Sequence, residues 1–361
     1  MPDRFRAEEY ATWGELRASA PQIAAPAPAS DLFCTLQWFE LLSTHGFDRQ
    51  AGLRLLLARN AAGAPCLALP LVHGTQVTGL SNYYSCLYGP VAPAGQVDAA
   101  ALDALCLHLK KTHNPAAVLR LAPLDDAGPF AQPMLAALRR AGFWADTYFC
   151  FGNWHLAVAN RSYDAYFATL PGQLRSTLKR RQRRLTAAGD WKVTIHSAPG
   201  PALETAIADF DAVYRASWKT PEPHPRFIPE LCRRAAAMGW LRLGILDLNG
   251  RALAAQLWLH CAGRSMIYKL AYDQTFAEFS AGSLLTAALM RHAIDRDGAV
   301  EIDYLSGDDA YKRDWMSHRR ERIGIVAFDP RSMRGLGAAL RHFGGKRLGG
   351  LLKPRAPARV G

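Results

Sequence analysis

The 361-residue sequence contains no run approaching the ~20 uncharged apolar residues that a membrane-spanning helix needs. Its start, Met1-Pro2-Asp3-Arg4, lacks the apolar stretch of a secretory signal. Cysteine is sparse and solitary: Cys34, Cys66, Cys86, Cys106, Cys150, Cys232 and Cys261 are odd in number and never fall at CxxC spacing. A disulfide framework or a cysteine zinc site is therefore not expected, and a cytoplasmic location fits best. HExxH, GxSxG, Walker, EF-hand and catalytic Cys-His signatures are missing. No histidine lies near enough in sequence to turn Asp308-Asp309 into a familiar metal-ligand set, so no metal is expected. Acidic residues are absent from two segments, Arg175–Arg184 and Arg331 to the end, which carry six and eight basic residues. Those fourteen charges exceed the formal net charge of +12, so the rest of the chain is slightly acidic. Basicity this local points to local anionic partners and away from general nucleic-acid coating.

Half of the residues are hydrophobic and a tenth aromatic, enough for a sizeable core, and the length suggests two domains. Residues 1–30, with the run Ala24–Ala29 rich in alanine and proline, read as a partly mobile lead-in. A first unit, 31–158, begins with a short helix at Leu36–Leu42. Strands follow at Gly52–Arg59 and Cys66–Val72, joined by the turn Asn60–Gly63. Helical spacing at Ala99–Lys111 and Ala131–Ala141 brackets a strand at Ala117–Leu121, and Thr147–Val158 is an aromatic strand. A second unit, 159–330, opens with a basic helix from Leu170 to about Gly189 and has helices at Ala202–Trp218 and Pro229–Met238. Next come strands Trp240–Leu248 and Ala252–His260 around Asn249-Gly250, the strongest short hairpin signal. Strand Met266–Tyr272, helix Gly282–Asp297 and strands Val300–Leu305 and Ile323–Phe328 complete it. Both units contain a strand–Asn turn–strand of similar length, a weak hint of duplication. The grammar is α+β, with no regular βαβ alternation.

Two segments carry chemistry. Where strand Met266–Tyr272 gives way to a helix, Ser280-Ala281-Gly282-Ser283 supplies a first turn with no acidic side chain, so free backbone N–H groups and the helix dipole make an anion site there. A plain N-cap and hinge is the structural alternative. Asp303, Asp308, Asp309, Tyr311, Lys312, Asp314 and Trp315 then fall within thirteen residues after a buried-looking strand. Asp303 or Asp308 is a candidate base and Lys312 a group for a phosphate, a carboxylate or an oxyanion, against the alternative of a salt-bridged loop. In the basic helix Leu174, Leu178 and Leu185 share a sector into which Arg181 also falls, so Arg181 is expected to be partly buried and paired. Arg175 stands at its start. The aromatic run around Tyr83 and Tyr84, with Trp218 at a helix end, is a candidate acceptor cleft, core packing being the alternative. The tail 331–361 mixes Leu336, Leu340, Phe343, Leu348, Leu351 and Leu352 with its basic residues, and Gly344-Gly345 and Gly349-Gly350 interrupt it. A basic amphipathic tail of this kind suits an anionic membrane surface.

Four stretches together resemble the GNAT acyltransferase superfamily, in its CelD-like or BioF-type acetyltransferase branch, related to the tandem-GNAT Fem transferases. They are Leu170–Arg181 as the opening helix, Gly250–Gln256 as the hairpin, Tyr268–Asp273 with Ser280–Gly282 as the acyl-CoA loop, and Asp303–Trp315 as the closing signature. Phe33–Leu42 and Leu69–Val72 match the N-terminal half more loosely, and the resemblance spans about residues 30–328. It implies two GNAT-like halves, each a mixed, mostly antiparallel sheet flanked by helices, with the donor site in the second half only. It also implies acetyl-CoA or a longer acyl-CoA as co-substrate on Tyr272, Ser280, Ala281, Gly282 and Ser283. Tyr311 would protonate the leaving sulfur, and the acceptor would be an amine or hydroxyl, on a small molecule, a saccharide or an envelope precursor. The loop departs from the family pattern in having the single glycine Gly282, which leaves open an aminoacyl-tRNA donor, as in Fem relatives. Under that alternative Arg180, Arg183 and Arg184 would meet RNA; otherwise no nucleic acid is expected. A non-catalytic module of a polysaccharide assembly is the third reading.

Overall fold

The computed structural model describes residues 5–24, 31–48, 52–92, 96–112 and 116–352. Most of the Ala24–Ala29 run and the last basic residues Lys353, Arg355 and Arg359 lie outside them. Two compact units are formed, and neither is a contiguous half of the sequence: one comprises 1–27, 51–150 and 323–361, the other 28–50 and 151–322. The chain passes between them within strands Trp144–Ala157 and His318–Phe328.

In the first unit five strands lie in the order Phe5–Tyr10, Gly52–Asn60, Pro65–His73, Val77–Gly79, Val118–Asp125. All neighbours are antiparallel except the last pair. Helices Ala99–Lys111 and Ala131–Arg140 bury Leu102, Leu105, Met134 and Leu138 against it. The supposed lead-in is structured over residues 5–24. Phe5–Tyr10 pairs along its whole length with Leu55–Asn60. Helix Trp13–Ser19 starts on a capping box, Thr12 and Glu15 each bonding the other's backbone amide. Glu8 and Glu9 bind Arg59 and Arg54 at 2.8 and 2.7 Å. The alanine-proline run hid a strand whose partner lies about fifty residues away.

The C-terminal segment also differs from expectation. Despite its glycines it forms one helix, Met333–Leu352. Gly335 explains the seating: a Cβ there would lie 2.2 Å from the carbonyl oxygen of Asp329 and 2.7 Å from that of Ala117. This close approach lets Ala339 and Phe343 pack on Val118, Val326 and Phe328. Tertiary packing outweighs the poor helix propensity of glycine.

In the second unit the strand order is Phe151–Ala157 (the end of Trp144–Ala157), Glu301–Asp303, Arg264–Tyr272, Arg251–Cys261, Leu241–Leu248, Trp191–His196. Only Arg264–Tyr272 and Glu301–Asp303 run parallel. Asn249 and Gly250 both take positive φ, the backbone of a tight hairpin turn, between the paired Leu248 and Arg251. Helix Ala281–Asp295 buries Leu285, Leu289 and Ala293 as its spacing predicts, the two leucines stabilising by ~2 kcal/mol each. Gly244 lets it approach: a Cβ there would stand 2.9 Å from Leu289 Cδ1. Helix Leu36–His45, expected in the first unit because it precedes those strands, belongs to this one. Its Trp38 ring meets Phe227 and Tyr268 edge-on at 5.8 and 6.1 Å.

Candidate active site

Strand Arg264–Tyr272 keeps its parallel partner only from Arg264 to Met266, and its register slips by a bulge between Ile267 and Lys269. The parallel partner ends at Asp303, so the backbone from Ile267 to Tyr272 diverges from it. At the end of this strand Asp273 caps a 3₁₀ turn, Gln274–Phe279. Its carboxylate accepts from the Thr275 amide and hydroxyl and from Arg251 at 2.7–2.9 Å. Burial alone would raise the Asp273 pKa; these donors outweigh it and hold the carboxyl below its usual range. Ser280 then takes a left-handed backbone, φ 51° and ψ 42°, and helix Ala281–Asp295 begins.

The Ser283 and Leu284 amides bond the Ser280 carbonyl at 3.0 and 3.2 Å. Among the described residues, the Ala281 and Gly282 amides have no such partner, and the Ser280 side chain does not cap them. Two donors therefore stay free at the positive end of a fifteen-residue helix. The turn is braced from behind: buried Gln256 donates to the Gly282 carbonyl and to Thr286 Oγ1, both at 2.8 Å, and accepts from Trp258. Gly282 has a packing reason as well as a chemical one, since a Cβ there would sit 3.3 Å from Tyr272 Cδ1. The Tyr272 ring in turn lies 4.7 Å from Trp218. Tyr272, Trp218 and the Ser280–Ser283 turn are thus one assembly. The basic helix Gly172–Ala188 packs on the same loop: Arg181 donates to the Glu278 carbonyl, as its partly buried place on the helix predicts, and Arg184 pairs with the Glu278 carboxylate. Arg175 spends its Nε on the Leu170 carbonyl at 3.1 Å.

The charges of the Asp303–Trp315 stretch are largely engaged. Asp303 is 1% exposed and accepts from Asn153 Nδ2, the Leu305 amide and Arg320 at 2.5–2.6 Å. Burial raises its pKa, but Arg320 above all, with Asn153 and Arg322, brings it below the carboxylate range. Asp308 accepts from Trp154 Nε1 at 2.7 Å and forms a fork with Arg319, which holds its carboxyl low. A base needs proton affinity near the working pH; both carboxylates are pushed the other way. Lys312 is 5% exposed and ties Ser306 O, Gly307 O and Asp309 together at 2.5, 3.3 and 3.2 Å, so its ammonium holds this turn. Tyr311 is different. It is 46% exposed, its ring stands edge-on to Tyr304 at 5.8 Å, and desolvation and the Asp309 charge push its phenol up to about 12. Tyr304 lies within electrostatic reach of Thr286, which donates to Gly282 O at 3.0 Å, so Tyr311 neighbours the helix start by way of two side chains. Tyr84 is core, 1% exposed, and Tyr83 is 65% exposed; both belong to the first unit. Among the described residues no three His, Cys, Asp or Glu side chains converge as a metal site requires.

Sequence reasoning missed a third group. Lys269, at the bulge, and Glu222 are paired at 2.7 Å and nine-tenths buried, and Glu222 Oε1 also accepts from the Tyr214 hydroxyl at 2.6 Å. Glu222 Oε2 is buried without a hydrogen-bond partner among the described residues. Lys219 stands by them: burial, then the Lys269 charge, lowers its amine pKa, with Glu222 opposing. Tyr214, Lys219 and Glu222 line a cavity of about 510 Å³ whose other walls include Phe210, Ile228 and Cys232. The only sequence signal was Trp218 at a helix end, beside Lys219.

Residues 172–313 match the family described as "Acetyltransferase (GNAT) domain". The fold is GNAT-like. FemX superposes with a TM-score of 0.62 at 13% identity, over 93% of this chain and 99% of that one. The C-terminal domain of a putative lysylphosphatidylglycerol synthetase from Agrobacterium fabrum gives 0.54 at 12% identity, over 93% and 96%. The L-PGS of Bacillus licheniformis gives 0.51 at 10%, over 91% and 98%. At these identities the likeness concerns the fold. Among curated proteins none matches the sequence. The match to the GNAT domain takes in the free amides, the bulged strand and the Tyr311 turn together, which supports a transferase of the acyl type.

Proposed function

We propose that this GNAT-like domain transfers an acyl group from acyl-CoA to an amine or hydroxyl acceptor. The free Ala281 and Gly282 amides carry the reading: they would bind the donor's diphosphate, while the edge of strand Arg264–Tyr272 beyond Met266, which the parallel partner leaves open, would receive the pantetheine arm. The acceptor enters beside Lys219 and Glu222. As its nitrogen or oxygen bonds to the thioester carbonyl carbon, its proton passes to a base and the C–S bond breaks. Tyr311, kept protonated, gives its proton to the departing thiolate. Lys219, with its lowered pKa, replaces Asp303 and Asp308 as the candidate base. A saccharide or envelope-precursor acceptor follows only from the family resemblance.

Titration calorimetry with CoA and acetyl-CoA tests the reading: one site per chain is expected, and no detectable heat for either ligand sinks it. One observation favours an aminoacyl-tRNA donor instead. Lys179, Arg180 and Arg183 stand exposed on the helix that clasps the donor loop, and the fold is shared with FemX. That reading expects tRNA binding that falls steeply with salt and with removal of Arg180 and Arg183.

A further inference from the structure

The C-terminal helix buries Gly335 and Ala339 and presents Met333, Arg334, Gly337, Leu340 and Arg341 as a continuous outward stripe. Met333 is 88% and Leu340 60% exposed. Between this helix and strand Val118–Asp125 runs an open groove of about 590 Å³. Arg120, Arg334 and Arg341 line it, and no acidic residue does. Two carboxylates that contact residues of or beside this helix are already engaged: Asp329 by Arg331 and Lys110, Asp146 by His342 and Lys346. Arg120 bonds the neutral Gln76 and Tyr148; among the described residues neither Arg334 nor Arg341 has a carboxylate partner. Trp144, 45% exposed, is two residues before Asp146 and so on the strand face that meets the helix.

We propose that this face is a membrane-contact surface that seats an anionic phospholipid headgroup between Arg120, Arg334 and Arg341. Met333, Leu340 and the amphipathic Trp144 ring enter the headgroup–acyl boundary. A nucleic-acid backbone would satisfy the arginines but gains nothing from two exposed aliphatic side chains and an indole beside them, which is why a bilayer is the favoured occupant. The proposal does not depend on the donor chemistry, because every residue in it belongs to the first unit.

The test is sedimentation of the full chain with phosphatidylcholine vesicles and with vesicles containing about 30% phosphatidylglycerol. Binding is expected only to the anionic vesicles. R334E/R341E is expected to weaken it at least roughly thirtyfold, the loss of two interfacial cations alone implying that much, and L340E severalfold at unchanged vesicle charge. Both variants should keep wild-type CoA binding and circular dichroism, since both sites are exposed. Equal binding to neutral vesicles, or none to anionic ones, overturns the proposal. So does binding that survives R334E/R341E but is lost when residues 353–361 are deleted. Displacement from anionic vesicles by a tRNA mixture at physiological salt overturns it in favour of a phosphodiester polymer.

Discussion

Two turns only some twenty residues apart in sequence teach opposite lessons. Asp303–Trp315 is crowded with ionisable side chains, yet Asp303 and Asp308 spend their charge on Arg320 and Arg319, and Lys312 on the carbonyls of its own turn. Ser280–Ser283 offers almost no side-chain chemistry, and there two backbone donors stay free. Charge density in a sequence measures how much pairing a fold requires. Available chemistry is what remains after pairing, and that is decided by distant partners such as Arg320, Asn153 and Arg319.

The sharpest way to break this contrast is at Asp303. D303N removes a buried partner of Arg320 and is expected to cost ~3 kcal/mol in urea unfolding. Asp303's folded pKa lies below its unfolded value, so its contribution is present above the unfolded pKa and lost as pH falls through the folded one. The variant should therefore show a shallower loss of stability on acidification. Unchanged stability would mean that the carboxylate is not structural. Next is Gly282→Val, which forces Tyr272 aside. Donor affinity by calorimetry should fall by ~2 kcal/mol, about thirtyfold, with a smaller change in unfolding. Tyr311→Phe should lower kcat roughly tenfold to a hundredfold with donor affinity unchanged, and an undiminished kcat would remove it from the chemistry. The smallest effect belongs to Asp308→Ala. An exposed ion pair contributes little to stability, so activity and thermal midpoint should barely move; a large loss of kcat would restore Asp308 as a candidate.

Elements with their own local signal were legible. Helix Ala99–Lys111 falls at its expected bounds, and Asn249-Gly250 makes the hairpin its dipeptide demands. The turn Ser280–Ser283 and the helix it opens were legible because strand, small residues and amphipathic helix are consecutive. What was hidden depends on contacts between distant positions. Phe5–Tyr10 became a strand by pairing with Leu55–Asn60, and Leu36–His45 joined the second unit through Trp38 and Phe227. Lys219, Glu222 and Lys269 form a group only because a bulge, a helix end and a loop converge. Tyr84 has the composition of a ligand-binding aromatic and the burial of a core residue.

The contact between the missing Cβ of Gly282 and the Tyr272 ring ties two positions ten residues apart. In homologous chains these two sites should exchange together, a larger residue at the first going with a slimmer one at the second. That covariation would record an inherited limit on the space between this helix start and the strand beside it.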